Sequence, residues 1–198
     1  AGLWAAIAEL FLGMCAWVER LGHPLRVELL VFLMQAGAAL PSSRIAGLKL
    51  RLAKGVCNPS PLPGLSLARL FFAGVTDLHV RNTVLDMGTG SGVWALIASR
   101  FARDVTATDL QHVPLNMVRE NALANGIHAP ELLHGDLFES VGERRFDRIL
   151  FNPPFHQGIP GKAEERAYLG GRDGDVLRRF LIALPKHLAV GGSACIIL

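Results

Sequence analysis

The chain is poor in cysteine, poor in charge, and has no long apolar run free of charged residues. Its 198 residues include only 3 cysteines. Cys15, Cys57 and Cys195 lie far apart, form no C-x-x-C pair and sit among apolar neighbours. That spacing excludes a disulfide framework and supplies no metal-ligand set, so free thiols in a reducing compartment and no bound metal are expected. Charged residues make up 19 % and apolar residues 51 %. Such a balance builds a core and excludes a disordered chain. The net charge of +3, from 20 basic and 17 acidic residues, permits a nucleic-acid partner without arguing for one. The first residues show neither a basic n-region nor a small-residue cleavage site, which points to the cytoplasm. The stretch Leu25 to Leu40 carries Arg26 and Glu28 and falls short of the ~18 uncharged apolar residues a membrane span needs. No internal repeat or low-complexity tract is present, and no membrane partner is expected.

Two regions differ in pattern. Residues 1–66 read as a helical N-terminal region and a Pro-rich linker. Leu3, Ile7, Leu10, Phe11, Met14 and Val18 recur at helical spacing, His23-Pro24 breaks the run, and a second helical stretch follows to Leu40. Amphipathic periodicity reports burial, so packing or dimer contact is preferred over a substrate-recognition lid. Residues 41–66, with Pro59-Ser60-Pro61-Leu62-Pro63-Gly64, read as a connecting loop, and Leu65 to Phe72 resumes helical spacing.

Residues 67–198 read as one α/β domain. Strands are expected at Thr83–Asp86, Asp104–Thr108, from Glu131, at Phe146–Leu150 and at Ser193–Leu198 after a Gly191-Gly192 turn. Helices are expected at Val93–Phe101, Pro114–Asn125 and Asp173–Leu188. Alternation of this kind predicts a Rossmann-like, doubly wound, mostly parallel sheet with helices on both faces.

The strongest local signal is Asp86-Met87-Gly88-Thr89-Gly90-Ser91-Gly92. Gly88, Gly90 and Gly92 at a strand exit let the backbone turn tightly and approach a ligand, with Thr89 between them. Gly90 to Ala95 also fits the dinucleotide fingerprint G-x-G-x-x-G/A, with Asp109 where a ribose-binding acid belongs. Asp86 decides between ligands. A carboxylate there would repel a pyrophosphate but favours the cationic sulfonium and ammonium of S-adenosylmethionine. Its competing role is a turn or cap residue. Asp109, followed by Leu110, ends the second strand and can accept both ribose hydroxyls. Asp136 follows the third strand and can accept the adenine amino group, while the Leu137 N–H donates to a ring nitrogen.

Phe151-Asn152-Pro153-Pro154-Phe155 follows the fourth strand. Proline has no N–H for the ladder, so the strand must end there. The rigid corner holds two acceptors, the Asn152 side-chain oxygen and the Pro153 carbonyl, which can bind both hydrogens of a planar nitrogen. Phe155 can stack on the flat target. Rate would then come from alignment, which can supply up to about 7–11 kcal/mol. The clusters Arg144, Arg145 and Arg148, and Arg178 with Arg179, read as a solvated face rather than phosphate contacts.

These residues resemble the class I S-adenosylmethionine-dependent methyltransferases over roughly residues 80–198, with Asn152, Pro153, Pro154 and Phe155 matching the Asn-Pro-Pro-aromatic signature of amino-group methylators. Tyr168-Leu169-Gly170-Gly171-Arg172-Asp173-Gly174 resembles the release-factor glutamine N5-methyltransferases (HemK/PrmC), where Phe155 stands in place of the usual Tyr. Phe155-His156-Gln157-Gly158 resembles the "methyltransferase small" family of ribosomal-RNA guanine-N2 enzymes. The longer match implies a protein glutamine acceptor, such as that of a release factor. The alternatives are an RNA base (guanine N2 or adenine N6), a small molecule, and at lower rank a nicotinamide-dependent oxidoreductase or an inactive scaffold. The resemblance also implies a further antiparallel hairpin after the fifth strand. An open edge there would be sticky, so a partner or a missing segment is expected to cover it.

Overall fold

A computed structural model describes residues 42–53, 56, 82–154 and 156–197. The helices expected within residues 1–40, most of the Pro-rich stretch, the helical spacing of Leu65 to Phe72, and Phe155 lie outside the described residues. Strands β1 (Ser42–Ile45) and β2 (Leu48–Arg51) form an antiparallel hairpin. This corrects the expectation of a loop for this part of residues 41–66. Leu48-Lys49-Leu50-Arg51 alternates apolar and polar, with Leu48 and Leu50 buried and the two basic residues exposed. The two-residue turn Ala46-Gly47 has φ of +51° and +77°, the mirror-image turn whose twist suits a hairpin.

The main sheet contains β3 (Thr83–Met87), β4 (Asp104–Asp109), β5 (Glu131–His134), β6 (Phe146–Phe151) and β7 (Leu188–Ile196). Its order is β5-β4-β3-β6-β7, and every pairing is parallel. Helix α1 (Val93–Ala98) joins β3 to β4, α2 (His112–Ala124) joins β4 to β5, and α3 (Asp175–His187) joins β6 to β7. Successive strand side chains alternate in direction, and the core divides accordingly. Val84, Ala107 and Leu150 pack with α1, α2 and the hairpin, whereas Leu85, Ile149 and Phe151 pack with Phe138 and with Phe180 of α3.

Local chemistry explains the element ends. After α2, Gly126 takes φ +62°, and the N–H of Ile127 donates to the Ala122 carbonyl at 3.0 Å, a left-handed C-terminal cap. Helix α3 starts two residues later than the expected Asp173, because Asp173 and Gly174 are left-handed at φ +53° and +67°. Strand β7 starts directly after α3 rather than after a Gly191-Gly192 turn. Those glycines instead form a bulge within it, where the register shifts between Phe146 and Arg148. Among the described residues β7 pairs only with β6 and so forms an edge.

The hairpin is fastened to α2 by two asparagines one helical turn apart. Asn121 bonds the Arg51 N–H at 2.7 Å and carbonyl at 3.1 Å, and Asn125 bonds the same groups of Lys49, both at 2.9 Å. Each amide thus mimics a neighbouring strand. Burial of Leu48 and Leu50 adds about 1.5–3 kcal/mol per side chain. No helix among the described residues is long and apolar enough to cross a membrane.

Candidate functional site

The chain leaves β3 toward β4 and β5, then returns to the other side of β3 for β6 and β7. In open α/β sheets the crevice at such a switch, outside the strand carboxyl ends, is where ligands bind. A cavity of about 270 Å³ lies there, just below the ~300–1,000 Å³ usual for small-molecule sites. Gly88, Thr89, Gly90, Asp109, Leu110, Asp136, Leu137, Asn152 and Pro154 all line it. Asp86, Gly92 and Pro153 are not part of the lining.

Asp86 is 1 % exposed and sits beneath the glycine loop. Its Oδ2 accepts the Thr89 hydroxyl at 2.7 Å and the Ala95 N–H at 3.0 Å. It therefore caps the third residue of α1, the competing role considered for it. That geometry removes one free N–H from a helix start that a phosphate would otherwise use. Burial pushes its carboxyl up to about 7, against the opposing pull of those two hydrogen bonds. Gly92 is behind the loop as well. Its φ is +81°, and a Cβ would lie 2.7 Å from a Val118 methyl, so only glycine lets α1 approach α2 this closely.

Asp109 ends β4 facing the cavity. The Gly90 N–H donates to one oxygen at 3.2 Å and the Gln111 N–H to the other at 2.9 Å. Burial raises its pKa, and these N–H groups oppose the rise. The next strand end is tied in by the Gly135 N–H, which donates to the Asp109 carbonyl at 3.1 Å. Asp136 follows and pairs with Arg179 at 2.6 Å. Leu137 then adopts φ +49°, unusual for a branched aliphatic residue.

On the opposite wall, β6 ends at Phe151, whose ring lies 4.5 Å from Phe180, itself 5.3 Å from Phe138. This aromatic row anchors the corner. Beyond it Pro153 is buried and Pro154 lines the cavity. The Asn152 Oδ1 atom is buried and accepts no hydrogen bond from the protein. Ser140 Oγ is also buried without a partner, but Ser140 does not line the cavity. The segment from Tyr168 to Gly171 braces the corner. The His156 N–H donates to the Tyr168 carbonyl at 3.0 Å, the Gly170 N–H to the His156 carbonyl at 2.8 Å, and Gly158 and Gly171 exchange bonds at 3.1 Å. A Cβ on Gly170 would collide with the Pro154 carbonyl oxygen. The glycine run thus has a steric reason.

The methyltransferase small domain family matches residues 68–198. The chain belongs to that family. A Methanocaldococcus jannaschii protein named as a protein N5-glutamine methyltransferase is 33 % identical over 158 residues, covering 75 % of this chain and 74 % of that protein. The ribosomal protein uL3 glutamine methyltransferase of Bradyrhizobium diazoefficiens is 38 % identical over 125 residues, but the chain spans only 39 % of its length. Among solved structures, the T. Thermophilus 16S rRNA N2 methyltransferase in complex with AdoMet and guanosine superposes with a TM-score of 0.60 at 26 % identity. That match covers 78 % of this chain and 40 % of the other.

A methyltransferase small domain uses S-adenosylmethionine, and the cavity offers that donor acceptors at Asp109 and Asp136, while Asp86 takes up one N–H of the helix start that a phosphate would use. The nicotinamide alternative falls with the family assignment. Sequence reasoning missed Val56, which lines the cavity from the segment after the hairpin. It also placed Arg179 on a solvated face, whereas Arg179 lines the cavity in an ion pair. No local spacing signals this, because the partner Asp136 lies 43 residues earlier in the chain.

Proposed function

We propose that this domain transfers a methyl group from S-adenosylmethionine to a planar nitrogen, the side-chain amide of a protein glutamine. One observation carries the reading: a buried Asn152 carbonyl oxygen with no partner, at the wall of the cavity. An unsatisfied buried acceptor costs about 1–3 kcal/mol. It is retained where an incoming N–H completes it.

In this reading Asp109 accepts the donor's ribose hydroxyls, and Asp136 with the Leu137 N–H recognises its adenine. The loop from Gly88 to Gly90 gives the backbone close approach to the donor. The donor supplies an electrophilic methyl group on a cationic sulfur. Asn152 Oδ1 accepts one hydrogen of the acceptor NH₂ and the Pro153 carbonyl accepts the other. Both bonds turn the nitrogen lone pair toward the methyl carbon and favour a less delocalised nitrogen. Phe155 is assigned to stack on the flat group. The surplus proton passes to water after transfer, so no strong base is required. Burial lowers the pKa of His156 and so favours its neutral imidazole beside the corner.

The glutamine acceptor is favoured because the Tyr168–Gly174 segment, the part shared with that branch, packs directly on the Asn-Pro-Pro corner. The second reading is an RNA base, favoured by the likeness to the guanosine-bound rRNA enzyme. The test is transfer of radiolabelled methyl from S-adenosylmethionine into a cell extract, then digestion by protease or nuclease. Protease-sensitive label recovered as N5-methylglutamine is expected. Nuclease-sensitive label would replace the acceptor with RNA, and no label in any fraction would leave a binding scaffold.

A further inference from the structure

The backbone around Asp136 is fixed on both sides. The Gly135 N–H is held by the Asp109 carbonyl, the Glu139 N–H donates to the Asp136 carbonyl at 3.1 Å, and Leu137 is locked left-handed. What remains free is rotation of the Asp136 side chain. Arg179 bonds its Oδ2 at 2.6 Å, while a second nitrogen of Arg179 lies 3.8 Å from Asp175 at the start of α3. The Asp136 and Arg179 side chains are 32 % and 38 % exposed. A pair that open to water adds little to stability, so its consequence is geometric. The next residue along α3, Phe180, is fully buried, which fixes the level from which Arg179 reaches.

We infer that Arg179 is a positioning residue for donor selectivity. It holds one oxygen of Asp136 so that the other faces the cavity as an acceptor. The site thereby selects a 6-aminopurine over a 6-oxopurine. The inference rests on the assignment of Asp136 to the purine under Proposed function. A carboxylate accepts hydrogen bonds and donates none. It therefore suits an exocyclic amino group and opposes a carbonyl oxygen. The oxopurine also carries N1–H, which would confront the Leu137 N–H, donor against donor. Sites built to bond a specific polar group reject analogues that leave such groups mismatched.

The experiment measures, by calorimetry, binding of S-adenosylhomocysteine and of S-inosylhomocysteine, its 6-oxo counterpart. The proteins are the wild type, Arg179→Met, Arg179→Lys and Asp136→Asn. The wild type should prefer the amino ligand, and Arg179→Met and Asp136→Asn should each reduce the preference by about tenfold, the scale of one charge-assisted hydrogen bond. Arg179→Lys, which keeps the charge but not the planar fork, should fall between the wild type and Arg179→Met. If Arg179→Met weakens both ligands by the same factor and preserves their ratio, Arg179 is structural only and the inference is overturned. If Arg179→Met does not fold, an unchanged ratio in Arg179→Lys overturns it equally. If Asp136→Asn keeps the wild-type ratio, Asp136 does not read the purine, and the assignment beneath the inference fails with it.

Discussion

On the donor wall of the cavity Asp109 is already bonded to Gly90 and Gln111, and behind that wall Asp86 is bonded to Thr89 and Ala95 beneath the glycine loop. On the acceptor wall Asn152 Oδ1 is buried with no partner. The first wall is satisfied by the protein's own hydrogen bonds. The second keeps a buried acceptor that no group of the protein completes. Preorganised donor contacts bind ground state and transition state alike, so damage there is expected in affinity. An acceptor completed by the reacting nitrogen acts on alignment, so damage there is expected in turnover.

The largest predicted effect breaks the acceptor wall. Asn152→Ala should lower kcat by about 10²–10³-fold, the scale seen when one preorganised hydrogen-bonding group is removed from a reacting centre. Donor affinity should stay within about threefold, and the melting temperature should not fall, because the variant removes an unsatisfied buried atom. Single-turnover methyl transfer with calorimetric donor titration checks all three; full turnover would remove Asn152 from the chemistry.

Asp109→Ala should do the opposite. Two backbone N–H groups lose their acceptor and, under the proposed function, the donor's ribose loses its own, so the donor Kd should rise by about 10–100-fold while kcat at saturation changes little. A fall confined to kcat would show that the two walls are not separable in this way. Gly170→Ala tests the brace behind the acceptor wall. Its Cβ must displace the Pro154 carbonyl, at a cost of about 1–3 kcal/mol in stability. Turnover should drop with the shifted corner, and donor Kd should hold. Chemical denaturation and steady-state kinetics on one preparation separate these outcomes.

The sequence made the donor wall easy to read because its determinants are local. Glycines and acids sit at strand ends, and strand ends follow from short apolar runs buried on both faces. Asp109 and Asp136 could be placed from one βα unit each. Asp86 shows the limit: its position at the loop was legible, but whether its carboxylate points into the cavity or under the loop depends on Thr89 and Ala95 reaching it. Arg179 shows the same limit at longer range, since its partner lies 43 residues earlier in the chain. The hairpin was obscured by Pro and Gly in the residues after it, although Leu48 and Leu50 alternate with basic residues as a half-buried strand should. The steric need for Gly170 could be seen only once β6 and the Tyr168–Gly171 segment were brought together.

A last predicted effect sharpens the comparison by asking whether the acid beneath the glycine loop senses charge. Burial raises the folded-state pKa of Asp86 from 3.8 to about 7. Between those values the folded chain keeps a proton that the unfolded chain has released, so stability should decline as pH rises from about 4 to about 7. A cationic sulfur nearby favours the carboxylate form. Donor binding should therefore expel a proton in that window, and affinity should climb with pH and level off near 7. Asp86→Asn keeps an oxygen for the Thr89 hydroxyl and the Ala95 N–H but cannot ionise. Its melting temperature should vary less with pH, with a residual slope of the same sign from Asp109, which burial also raises. S-adenosylhomocysteine, whose sulfur is neutral, should show a shallower pH dependence of binding than S-adenosylmethionine on the wild type, and the two should converge in Asp86→Asn. Thermal melts and calorimetry across this range decide the point. Equal slopes in the wild type and the variant would mean that Asp86 stays ionised beneath the loop and acts as a helix cap alone.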